Sequence, residues 1–261
     1  MTKDYLKFAE TIVREAGSLL LKKLTEKHRI DFKGEINIVT EADLMSEKLL
    51  VHRIQKEFNR HDILTEESSG YDYGSDHRWI IDPLDGTTNY AHGYPVFCVS
   101  LALEIKSEIL IGAIYNPVMN EMFTAKKGGG AFLNGKPIEV SKIDDLSRSL
   151  LATGFPYDIR ASKDNNINYF IGMAKKAQAI RRAGSAALDL AYVAAGRFDG
   201  FWELKLMPWD TAAGWLMVNE AGGVVTDLLG NSYGLKTGYI LASNGKIHGA
   251  MVDALASCPT I

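Results

Sequence analysis

One stretch limits the fold more than any other: Trp79-Ile80-Ile81-Asp82-Pro83-Leu84-Asp85-Gly86-Thr87-Thr88-Asn89. Its apolar start reads as a buried strand that delivers Asp82 at its end. Pro83 has no N–H for a further ladder bond, so the chain must turn there. Asp85 follows three residues after Asp82, close enough for both carboxylates to face one point. Gly86, Thr87 and Thr88 then make a small-residue turn whose backbone N–H groups can cradle an anion, above all if they open a helix. Carboxylates suited to a metal beside amides suited to phosphate form the layout that phosphoryl transfer needs. Two aspartates in a turn are common, but the whole eleven-residue string is far more specific than a D-x-x-D pair.

Periodicity supplies the frame around that string. Leu6, Ala9, Val13, Ala16, Leu20 and Leu24 recur at steps of three and four and predict an opening helix. A second helix is predicted from about Glu41 to Phe58, with Met45, Leu49 and Ile54 among its apolar positions and Thr40 at its cap, three residues before Asp43. Phe97 to Leu103 and Ile109 to Tyr115 read as strands, and Asn134-Gly135 closes another hairpin. The first half is thus two helices followed by a mostly antiparallel sheet. Beyond the polar stretch Ser141 to Ser149, helices are predicted at Ser185–Ala195 and Thr211–Ala221, a strand at Tyr239–Leu241, and a last helix carrying Ile247, Ala250, Met251, Ala254 and Leu255. The pattern predicts layered α and β.

Composition narrows the function classes. The 261 residues carry 29 Lys+Arg against 32 Asp+Glu, a net charge of −3, with 46% apolar types. This excludes a disordered tail, a collagen-like fibre and a polycation built to grip nucleic acid or anionic membrane. Cys98 and Cys258 are the only cysteines; Cys98 lies in an apolar run and reads as a buried thiol, and a reducing, cytoplasmic setting is expected. The start, Met1 to Tyr5, leads into an amphipathic pattern rather than a signal peptide, and no apolar run reaches the roughly 18 residues of a membrane span. There is no H-E-x-x-H or paired Cys/His spacing for zinc, no G-x-S-x-G elbow and no Walker-type phosphate loop. Gly128-Gly129-Gly130 reads as a sheet turn ahead of a nucleotide loop. Arg181-Arg182 fits a phosphate, a subunit interface or a solvated pair.

Further acidic sites join the central string. Glu66-Glu67-Ser68 follows a strand end at Ile63-Leu64-Thr65, and alone reads as a solvated loop; Asp210, at the start of a helix, alone reads as an N-cap. Thr40-Glu41-Ala42-Asp43, Glu66-Glu67-Ser68, Trp79 to Asn89, and Trp209-Asp210 through Glu220-Ala221-Gly222-Gly223 stand together in the order and approximate spacing of the inositol monophosphatase family. Gly184-Ser185-Ala186-Ala187-Leu188-Asp189 and the hairpin at Asn134-Gly135 extend the likeness. The chain resembles that family, most closely its bacterial branch, over essentially its whole length.

The resemblance implies an α+β fold, a layered αβαβα sandwich of the inositol monophosphatase and fructose-1,6-bisphosphatase type. Residues 1–261 would form a single phosphatase unit with approximate lobes 1–145 and 146–261. It implies a first Mg²⁺ on Glu66, Asp82 and the Leu84 carbonyl, and a second on Asp82, Asp85 and Asp210. A third, weaker ion is implied through water at Glu66, with Glu67 beside it. Asp43 and Thr87 resemble the pair that orients the attacking water, so Asp43, Glu66 and Thr87 are the implied catalytic residues. Gly86 and Thr87 resemble the phosphate-binding amides. Asp85, Ser185, Ala186, Glu203 and Asp210 resemble substrate contacts, although Glu203 also reads as an exposed strand-end carboxylate. Charge counting agrees: four carboxylates and a phosphate dianion carry six negative charges, which two Mg²⁺ reduce to two and a third cancels. The implied substrate is a small polyol phosphate, first inositol 1-phosphate. Fructose 1,6-bisphosphate, histidinol phosphate, NADP and adenosine bisphosphates remain alternatives. A homodimer and Li⁺ inhibition are also implied, with no membrane partner. Association with the transcription machinery, known for some bacterial relatives, is the less favoured reading.

Overall fold

Apolar steps of three and four produce α1 (Tyr5–Leu24), which buries Ala9, Ile12, Val13, Ala16 and Leu20 along one side. The structure, a computed structural model, describes residues 4–24, 30–32 and 38–258, so the lead-in at Met1 to Lys3 lies outside the described residues. A two-stranded antiparallel ribbon of β1 (Ile30–Phe32) and β2 (Ile38–Thr40) enters α2 (Glu41–Glu57). Thr40 and Asp43 form the reciprocal cap that their spacing predicts. The buried face of α2 differs from the predicted apolar stripe. Ile54 is buried, but Met45 and Leu49 are only half-buried, while Asp43, Ser46 and Glu47 point inward beside Ala42 and Leu50. Buried polar groups need partners. Theirs lie in the site described below.

The first sheet takes its strands in chain order: β3 (Asp62–Thr65), β4 (His77–Asp85), β5 (Cys98–Ile105), β6 (Glu108–Asn116), β7 (Glu121–Lys126), β8 (Gly130–Leu133) and β9 (Lys136–Ile138). A five-residue helix, α3 (Thr87–Ala91), follows β4 directly. Only β3 and β4 pair in parallel; the other neighbours are antiparallel. Asn134 and Gly135 turn the β8–β9 hairpin with φ of 50° and 75°, left-handed values that this residue pair tolerates. The remaining elements are β10 (Leu150–Thr153), α4 (Ile167–Ala174), β11 (Ala179–Arg181), α5 (Ala186–Ala194), β12 (Gly200–Glu203), α6 (Pro208–Glu220), β13 (Val224–Thr226), β14 (Ile240–Ser243) and α7 (His248–Ala256). Their strands form a second sheet in the order β11-β10-β12-β14-β13.

Alternation along the strands separates the layers. Trp79 and Ile81 pack with α1 and α2, whereas Ile80 joins the core shared with α5 and α6. In the second sheet, Ala152, Phe201 and Ala242 face that shared core, and Leu151, Trp202 and Leu241 face α7. The result is helix, sheet, helix, sheet, helix, the αβαβα order expected. The middle helices lie close to their neighbours because small residues line them. A side chain at Gly112 would come within 3.0 Å of Ala213, and one at Gly214 within 2.5 Å of Leu190. The predicted helix at Thr211 starts earlier, at Pro208, whose fixed φ suits a first helical position.

Candidate active site

The central string bends as its sequence requires. Asp82 pairs with Ser100 and Asp85 with Cys98, so β4 spends one more residue than β5 between the two aspartates, at Pro83. Asp82 Oδ1 accepts the Leu84 amide at 3.0 Å, which fixes the carboxylate over its own turn. Gly86 follows with φ +96°, and a side chain there would also come within 2.8 Å of the Val96 carbonyl. Only glycine meets both demands.

The inner face of α2 supports this turn. Asp43 is fully buried; its Oδ2 accepts the Thr40 amide at 2.9 Å and its Oδ1 accepts the Thr87 hydroxyl at 2.8 Å. Ser46 donates to the Pro83 carbonyl at 2.7 Å. Glu47 accepts the Thr65 hydroxyl at 2.6 Å and the Glu67 amide at 2.9 Å, bracketing Glu66 on both sides. Sequence reasoning missed Ser46 and Glu47. The available signal was a pair of polar residues inside a helix whose neighbours Ala42 and Leu50 are core.

The second half of the chain delivers the remaining groups. Asp85 Oδ2 accepts the Ser185 hydroxyl and the Ala187 amide, each at 2.7 Å, which ties β4 to the start of α5. Asn89 reinforces the join by donating to the Val96 and Ala183 carbonyls at 2.6 and 2.9 Å. Asp210 occupies the third position of α6 rather than the cap, and accepts the Met207 amide at 2.6 Å. The N-cap reading is therefore corrected: Met207 is the cap residue, and Asp210 bonds back to it from the third position while lining the site.

Glu66, Asp82, Asp85 and Asp210 line one cavity of about 480 Å³, together with Leu84, Gly86 and Thr87. Ser185, Ala186 and Glu203 line the same cavity, as do Arg182 and Asp189. Asp43 and Glu67 stand outside the wall, Asp43 bonded to Thr87 and Glu67 held through its amide. Gly128 and Gly130 contribute nothing here; their amides at 2.8 and 2.9 Å clasp the Glu220 carboxylate, so that turn is already filled. Cys98 is a buried free thiol, as its apolar run predicts.

The carboxylates burden one another. Burial pushes Asp82 well above the usual carboxylate range, and Glu66, Asp85 and Asp210 push it further. Burial likewise raises Asp210, helped by Asp85 and Glu66, against the Met207 amide. Asp85 is raised by burial, with the Ser185 hydroxyl and the α5 amides opposing. Burial lifts Asp43 as well, while its bonds from Thr40 and Thr87 pull it down. Among the described residues, no three His, Cys, Asp or Glu side chains stand close enough together to hold a metal ion on their own. The donor set is open, all oxygen and short of positive charge. Such a set fits a hard divalent cation that keeps several waters and shares its coordination with phosphate.

The chain belongs to the inositol monophosphatase family, whose pattern matches residues 1–260. It is similar to an inositol-1-monophosphatase of Synechocystis sp., 44% identical over 259 residues, covering 98% of this chain and 90% of that one. It is also 43% identical over 251 residues to the protein named Nus factor SuhB in Escherichia coli K12, covering 95% of this chain and 94% of the relative. Among solved structures, the inositol monophosphatase of Anabaena (Nostoc) superposes with a TM-score of 0.90 at 43% identity, covering 98% of this chain and 97% of that chain. Membership places the chain among the phosphatases.

Proposed function

We propose that the chain is a Mg²⁺-dependent phosphomonoesterase acting on a small polyol phosphate, with inositol 1-phosphate as the leading substrate. The observation that carries the reading is the convergence of four carboxylates from three separate segments on one cavity, beside the Thr87–Asp43 pair. Glu66, Asp82 and the Leu84 carbonyl would hold one Mg²⁺, Asp82, Asp85 and Asp210 a second, and Glu66 with Glu67 a third through water. When bound, Mg²⁺ lowers the pKa of a water and offsets the charge on phosphate oxygens.

The chain's own groups arrange the rest. Thr87 has one hydroxyl hydrogen and two acceptors, Asp43 Oδ1 at 2.8 Å and the Leu84 carbonyl at 3.1 Å. Giving it to Asp43 leaves the Leu84 oxygen for a cation and the Thr87 lone pairs for a water O–H. That water then presents its free lone pair to phosphorus while the P–O bond to the alcohol breaks; its proton leaves toward Thr87 and Asp43, and the departing alkoxide takes a proton from solvent water. Gly86, without a side chain, leaves the backbone open to phosphate. Ser185, Ala186 and Glu203 meet the alcohol part of the substrate.

Phosphate release tests the reading, with inositol 1-phosphate, fructose 1,6-bisphosphate, histidinol phosphate, NADP and 3′-phosphoadenosine 5′-phosphate compared in Mg²⁺ and in EDTA. Inositol 1-phosphate is expected to turn over fastest, EDTA to abolish release, and Asp85→Asn to abolish it even in Mg²⁺. Undiminished turnover in chelator sinks the metal assignment, and a faster competitor replaces the substrate. The similarity to a protein named as a Nus factor supports a second reading, a binding factor for the transcription machinery. A cellular phenotype that survives Asp85→Asn favours it.

A further inference from the structure

We propose that Asp189 is a specificity-determining residue that receives a hydroxyl of the leaving alcohol and, with Glu203, forms a two-carboxylate wall selecting polyhydroxy alcohols. The inference rests on the phosphatase reading above and names a contact that reading lacks. Asp189 lies in the first turn of α5 and is 1% exposed, yet it forms part of the cavity wall. Among the described residues, its Oδ1 is the one buried side-chain oxygen or nitrogen without a hydrogen-bond partner. Leaving a buried acceptor unmade costs about 1–3 kcal/mol, so a carboxyl without hydrogen-bond partners on a residue of the cavity wall marks a place where a ligand donates.

Its surroundings define that ligand. Glu203 lines the same cavity at the end of β12, and a side chain at Gly154 would overlap the Glu203 carboxylate, so glycine there makes room for it. Glu203 and Arg182 act electrostatically on Asp189 with opposite sign, and Arg182 acts on Glu203 too. The wall therefore offers carboxylate acceptors and one guanidinium donor. Neighbouring hydroxyls satisfy both, because each can donate to a carboxylate and accept from the arginine. A second phosphate would face two buried carboxyl groups, which hydrogen-bond a hydroxyl and suit a phosphate poorly. The wall thus favours a polyol monophosphate over a bisphosphate.

Asp189→Ala tests this, since it removes the acceptor without adding bulk to a buried position. The readout is kcat/KM for inositol 1-phosphate relative to p-nitrophenyl phosphate, whose leaving group has no hydroxyls to place. The ratio is expected to fall at least tenfold. Asp189→Asn, which keeps the shape and one acceptor oxygen, covers the case in which the alanine variant fails to fold, and a smaller fall is expected there. An unchanged ratio, or an equal loss on both substrates, overturns the assignment. Unaltered protein that cleaves p-nitrophenyl phosphate but no polyol phosphate overturns the polyol reading itself, which separates the two failures.

Discussion

Thr87 shows how much one hydrogen can decide. Its hydroxyl bonds to Asp43, an aspartate wholly out of water, and Thr87 itself lines the cavity. Thr87→Val keeps the shape and removes the relay. In steady-state kinetics kcat is expected to drop by roughly 10²–10⁴, the usual weight of a positioned proton-transfer group, with KM little changed. An unaltered kcat would remove Thr87 from the chemistry. At this scale the sequence was legible where a residue type is unusual for its place. Asp82 and Asp85 interrupt an apolar strand end and are plain to see. Asp189 is not, because an acidic residue in the first turn of a helix is ordinary placement near the positive end of the helix dipole.

Elements carry a second kind of information, best seen in α2. Three of its buried residues are polar, and each bonds to a different piece of the site: Asp43 to Thr87, Ser46 to Pro83, Glu47 to Thr65 and Glu67. The helix is a scaffold for backbone positions distant in sequence. Glu47→Ala leaves the Thr65 hydroxyl and the Glu67 amide without their acceptor, at a cost of about 1–3 kcal/mol in denaturant unfolding. It should also raise the Mg²⁺ concentration needed for half-maximal activity, since Glu66 loses support on both sides; an unshifted Mg²⁺ titration counts against this role. The long elements were legible for two reasons: α1 has a clear helical period, and α2, β5 and β6 are long enough for their apolar content to stand out between polar ends. The short ones, β10, β11, β12 and α4, were not. Leu151, Ala152, Phe201 and Trp202 are buried toward both faces, which erases alternation, and α4 starts after Asn166 with no side-chain cap to announce it.

For the whole molecule, the concentration of buried carboxylates sets the dependence on pH. Glu203 ordinarily titrates near 4.5, and burial pushes it up to about 8 against the pull of Arg182. The folded state keeps this proton where the unfolded chain has released it, so stability falls as pH rises through that interval and levels off above it. Without added metal, Glu203→Gln should therefore lose less melting temperature than the unaltered protein between about pH 5 and about pH 8. Identical slopes would contradict the burial of that charge. The bond from Asp85 on β4 to the start of α5 has a further consequence, this time for synthesis. Asp43, Glu66, Asp82, Asp85 and Thr87 emerge from the ribosome long before Ser185, Asp189, Glu203 and Asp210 exist. A nascent chain holding only its first sheet lacks Ser185 and Ala187, which bond Asp85, and Asp210, one of the four carboxylates that line the cavity. On the proposed reading, phosphate release is expected only after α5, β12 and α6 have been made and have joined the first sheet.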